Sequence, residues 1–138
     1  TMLPEQGKLA SPNLFAYTLP NCFLGESALR FGLTGNSMIL NRRDPSRLES
    51  IKTGLTELAW SAQCGVLAGI VNLPAPSELR AVDDLPGSLF LLLEKEQRGD
   101  SGSYGQMELR EGQLSFNGQV VDSLVELITV CLKTQCHL

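Results

Sequence analysis

Histidine is almost missing. The 138 residues contain one, His137, beside the last position. A cysteine nucleophile works with a nearby base or a lowered pKa, and neither is signalled around Cys22 or Cys64. Both cysteines adjoin apolar stretches and read as small buried hydrophobes. Paired CxxC spacing is absent among the four cysteines, Cys22, Cys64, Cys131 and Cys136. Only Cys131, Cys136 and His137 cluster, and cysteines five apart on a helix do not share a face. Neither a metal site nor a cofactor is therefore expected. The longest apolar run, Ser88 to Leu93, is far too short to span a bilayer, so no membrane role is expected. An excess of basic charge is lacking too: the net charge is −4, which argues against nucleic-acid binding. No repeat appears at solenoid periods. Free thiols without a signal-peptide pattern suit a reducing cytoplasm.

What remains is an ordinary globular balance, 43% hydrophobic and 19% charged. A chain near this length buries about 70% of its unfolded surface without staples. One domain is expected over residues 11–138, behind a loose segment at 1–10. Ser11-Pro12 reads as a helix cap with proline at the first helical position. A second short helix is predicted from Cys22 to Arg30, closed by a turn between Gly32 and Gly35. Ser37 to Leu40 is short and apolar and predicts a buried strand.

The next helix is predicted from Pro45 to about Ala62. Leu48, Ile51, Leu55, Leu58, Ala59 and Ala62 recur on one helical face. Gly54 costs about 1 kcal/mol against alanine inside a helix, and close packing would explain it. Cys64 to Val71 is continuously apolar, as in a strand buried on both faces. Residues 72–87 hold three prolines and predict a loop. Ser88 to Leu93 predicts a strand, and residues 97–105 a glycine- and serine-rich turn. Glu111-Gly112 sits between two short apolar segments as a hairpin signal. Val121, Leu124, Val125, Ile128 and Leu132 mark a helix over Val120 to Leu132.

Strand, helix, strand in this order predicts a right-handed parallel unit. The expected fold class is α/β: a mixed sheet with a parallel β-α-β core and helices packed on it.

One segment carries more than periodicity. Ser11-Pro12, Phe15, Leu19-Pro20-Asn21, Gly25-Glu26 and Phe31-Gly32-Leu33-Thr34-Gly35 resemble the β-ketoacyl synthase-like family. Ala68-Gly69 and Leu91 to Glu94 extend the resemblance, which covers roughly residues 11 to 95. It implies a thiolase-like half-domain, a two-fold dimer through the strand Ser37, Met38, Ile39, Leu40, Asn41, and acyl-transfer ancestry. In that register the family's nucleophilic cysteine falls on Asp44, and its downstream histidines have no counterpart. A carboxylate is a poor acyl acceptor, so no catalytic residue is assigned. The resemblance thus implies a non-catalytic subunit of a fatty-acid or polyketide-type system. Its partners would be a second copy, a ketosynthase or an acyl carrier protein. The alternatives are an acyl-thioester enzyme with altered chemistry, a hydrolase or decarboxylase, and a degenerate structural domain. A structure with Ser37–Asn41 and Cys64–Val71 antiparallel, or lacking the helix between them, would remove the ketosynthase reading.

Two further groups matter around Asp44. Ahead of Pro45, its ordinary role is a helix cap. Arg42, Arg43 and Arg47 belong to a stretch with five basic residues (with Arg30 and Lys52) against two acidic ones, Asp44 and Glu49, a local balance of +3. Such a patch could meet an acidic carrier protein or its phosphate, or could simply be solvated. Trp60, near the end of the helix, reads as core or interface.

Overall fold

The computed structural model describes residues 20–41, 44–72, 87–95 and 102–135. The predicted helix after Ser11-Pro12, the proline-rich loop, Arg42, Arg43, Cys136 and His137 lie outside the described residues. The chain divides into two compact units, residues 1–41 and 42–138.

The first unit contains α1, Pro20–Phe31, which encloses the helix expected from Cys22 to Arg30. Gly32 ends it with φ +65°, and the Leu33 amide donates back to the Ala28 carbonyl at 2.9 Å. That bond closes a Schellman cap, which needs a left-handed residue at this point and so favours glycine. Ser37 to Asn41 forms no strand, and Met38, Ile39 and Leu40 are 40–51% exposed. A short apolar run becomes a strand only where a neighbour completes its ladder. The expected parallel β-α-β core is therefore absent among the described residues, and with it the thiolase-like half-domain and its dimer strand.

The second unit begins with a turn at Asp44 and continues into α2, Glu49–Trp60. The predicted helix thus starts four residues late and stops two early. Leu48, Ile51 and Leu58 are buried as the periodicity requires, whereas Ala59 is exposed and Ala62 lies beyond the helix, also exposed. Two strands follow, β1 at Gly65–Asn72 and β2 at Gly87–Glu94. They pair antiparallel, with Gly65 opposite Glu94 and Asn72 opposite Gly87. Side chains alternate across a strand. Val66, Ala68 and Ile70 on β1, with Leu89, Leu91 and Leu93 on β2, therefore share the face that packs with α2. A Cβ on Gly54 would lie 3.1 Å from Leu93 Cδ1 and 3.3 Å from the Ala68 Cβ. The glycine inside α2 is there for close approach of helix and sheet.

A three-stranded antiparallel meander comes next: β3 Met107–Arg110, β4 Gln113–Phe116 and β5 Gln119–Val121. Both connections are two-residue turns. Glu111 and Gly112 have φ of 51° and 79°, as the hairpin signal predicts. Asn117 and Gly118 repeat this at 50° and 80°. Positive φ at both positions is the mirror-image turn whose twist matches the strands. Asn117 also clasps the entry to β3: its side-chain oxygen accepts the Gln106 amide, and its own amide donates to the Gln106 carbonyl, both at 2.8 Å. The second hairpin takes Val120 and Val121 out of the predicted last helix. That helix, α3, runs over Leu124–Gln135. Ser123 caps it by accepting the Glu126 amide at 3.2 Å, while Glu126 accepts the Asp122 amide at 2.8 Å. This is a capping-box arrangement displaced by one residue at its backbone donor. Leu114, Phe116, Val121, Leu124 and Leu127 join Leu48, Ile51, Leu58, Ala68 and Leu93 in one core.

Candidate docking surface

Asp44 was the residue singled out by sequence, and its surroundings define its role. Pro45 fixes φ at the second position of a four-residue turn. The Arg47 amide donates to the Asp44 carbonyl at 3.1 Å, and Arg47 itself takes φ 58°. One Asp44 carboxylate oxygen accepts the Ser46 amide at 3.3 Å, and the other accepts the Ser46 hydroxyl. The Ser46 hydroxyl oxygen in turn accepts the Leu48 amide at 3.3 Å. These bonds to the charged form, the Ser46 hydroxyl first, hold the Asp44 carboxyl below its usual range. Asp44 therefore does not cap α2 directly. Leu48 occupies the cap position and makes no side-chain cap bond. Asp44 orders the turn one step earlier.

The turn also anchors α3, since the Leu124 amide donates to the Ser46 carbonyl at 2.9 Å. That bond satisfies one of the orphan donors of a helix start. Asp44, Ser46 and Leu124 thus hold together the starts of two helices, a structural task for a residue placed in a nucleophile's register. Of Arg42, Arg43 and Arg47, only Arg47 lies among the described residues, and it is half-buried; Arg30, in the last turn of α1, is exposed.

Cys22 and Cys131 are half-buried, and Cys64, expected inside, is exposed. Burial pushes the Cys131 thiol above its usual pKa, the wrong direction for a nucleophile. No group of three metal-ligating side chains occurs among the described residues. Surface depressions occur at Arg110, Glu111 and Gln113, and along Phe116, Gln119 and Lys133. Among the described residues, neither is lined by Asp44 or a cysteine. Trp60 is 87% exposed.

The most distinctive feature is the outer face of the β1–β2 pair. Leu67 and Val71 on β1 and Phe90 and Leu92 on β2 point to the side away from α2, each 56–66% exposed. The same face carries Gly65, Gly69 and Ser88, with Glu94 at one end. Gly69 and Phe90 are register partners, and a Cβ on Gly69 would run into the Phe90 ring. The ring thus lies over the bare glycine backbone and levels the face. Sequence predicted the first of these strands, Cys64 to Val71, to be buried on both sides. In the structure the inner side is covered by α2, and these outer side chains stay open. Contiguous exposed apolar area of this kind marks interaction sites.

Protein-family models, curated proteins and solved structures contain no match to this chain.

Proposed function

We propose that this chain is a non-catalytic binding subunit that works by docking another protein chain on the outer face of β1–β2. The observation that carries this reading is the set of four large apolar side chains, Leu67, Val71, Phe90 and Leu92, on one levelled face. Burying the exposed remainder of each would contribute part of the ~1.5–3 kcal/mol of full burial, set against the cost of association. The turn at Asp44 supports the non-catalytic half of the reading. Its carboxylate is committed to Ser46, and the backbone it fixes receives Leu124.

The thiolase-like arrangement is not part of this proposal. The residue pattern between Ser11 and Glu94 serves only to choose candidate partners: a second copy, a ketosynthase-type chain, or an acyl carrier protein of a fatty-acid or polyketide-type system. A cytoplasmic setting goes with that choice.

The test is incubation with acyl-carrier thioesters, followed for turnover, for adducts and for binding. The reading expects no released acyl group and no adduct on Asp44. Binding should disappear in Leu67→Glu and Leu92→Glu. Sustained thioester hydrolysis or decarboxylation would favour the altered enzyme instead.

A further inference from the structure

We infer that the occupant of the outer β1–β2 face is a second copy of this chain, stacked face to face about a two-fold axis that crosses the strands. The inference rests on the docking reading above and names its partner.

Area is the first argument. Two paired eight-residue strands make a tile about 26 Å long and two strands wide. Its footprint is about 26 Å by 10 Å, so a self-stacked pair buries on the order of 500–1,000 Å² in total once side-chain relief is included, below a standard interface and in the range of weak, transient association. A face this small suits a weak, reversible dimer.

Charge is the second. Glu94 is the one ionisable side chain on the outer face among Gly65–Asn72 and Gly87–Glu94. An axis running along the strands would set Glu94 beside its own copy. An axis across them sets each Glu94 over the Ser88 end of the other chain. The two carboxylates are then separated by roughly the length of the tile, well beyond a Debye length of about 8–10 Å. The chain's net charge of −4 makes this separation count.

Shape is the third. The register centre falls between the Ala68–Leu91 and Gly69–Phe90 pairs. Phe90 is therefore the outer side chain nearest the axis, and Gly69 leaves the room its ring occupies. Offset ring pairs across such an axis are favourable. A closed two-fold interface of this kind is self-complementary and stops at two copies.

The experiment is sedimentation velocity on the full chain across a concentration series, paired with photo-crosslinking from a benzoyl-bearing phenylalanine in place of Phe90. A concentration-dependent monomer–dimer equilibrium is expected, with dimer as the covalent product. Leu92→Lys should weaken association by about 10-fold or more. Val120→Lys, a substitution at another exposed valine, should leave association unchanged. Circular dichroism confirms that each variant is folded. A wild-type chain that stays monomeric at every concentration overturns the second-copy inference. If the Leu92→Lys chain then also loses binding to a carrier protein or ketosynthase, the docking reading survives with a different occupant. If that binding is unaffected as well, both fail.

Discussion

The ring of Phe90 lies over Gly69, its register partner across β1 and β2. Glycine is poor strand material because it has no side chain to pack and loses most backbone freedom. Here the aromatic partner covers the backbone that glycine leaves bare. The pair therefore serves the surface rather than the core. Replacing Gly69 with valine should lift the ring off the sheet. Folding stability should change by about 1 kcal/mol or less, as for most surface sites. Association should weaken by about 10-fold, measured by sedimentation or titration calorimetry.

Gly54 serves the opposite face. Alanine there regains about 1 kcal/mol of helix propensity but must push Leu93 Cδ1 from 3.1 Å, so the two effects nearly cancel. Leucine has no such room. Gly54→Ala should unfold in urea within about 1 kcal/mol of wild type, and Gly54→Leu should lose about 1–3 kcal/mol or more through overpacking.

The contribution of Asp44 to stability depends on pH. The folded carboxyl titrates below its ordinary value because Ser46 donates to it. A group lowered in the folded state stabilises the fold above its unfolded pKa, about 3.9, and loses that contribution as pH falls through the folded value. Asp44→Asn should therefore be less stable than wild type near neutral pH, by roughly 0.5 kcal/mol or less, because solvent screens the carboxylate. The difference should shrink as pH drops below about 4 and vanish in stronger acid. Urea midpoints across that range give the comparison. A constant difference at all pH values would mean that charge is not the cause.

Asn117 combines a left-handed backbone with the clasp on Gln106. Asn117→Ala should lose about 1–2 kcal/mol from the backbone conformation and more from the lost bond. Asn117→Gly should lose only the bond. Thermal melts of the two variants separate the contributions.

Local chemistry was readable in particular residues. Ile51 and Leu58 announced the buried stripe of α2, Gly32 the turn after α1, and Glu111-Gly112 the first hairpin. Asn117-Gly118 carries the same signal, stronger by composition, but the apolar spacing of Val121 and Leu124 draws Val120 and Val121 into the helix that follows and hides β5. Pairing was not readable. The apolar runs of β1 and β2 fit a parallel or an antiparallel neighbour equally well, because a strand lined on both faces has no alternation to orient it. Asp44-Pro45 showed the same limit. The dipeptide predicts a turn or a cap, and the choice depended on Ser46 and on Leu124, eighty residues away in the chain. The outer face was half legible: its side chains were identified as apolar, but their openness depends on which layers the fold supplies.

The most direct measurement is hydroxyl-radical footprinting of the full chain, dilute and then at concentrations where it associates. Trp60 at 87% exposure and Tyr104 at 69% serve as internal references. The account predicts that oxidation of Phe90 and Leu92 falls several-fold on association while both references stay constant. Association with Phe90 and Leu92 still oxidised at the dilute rate would contradict it.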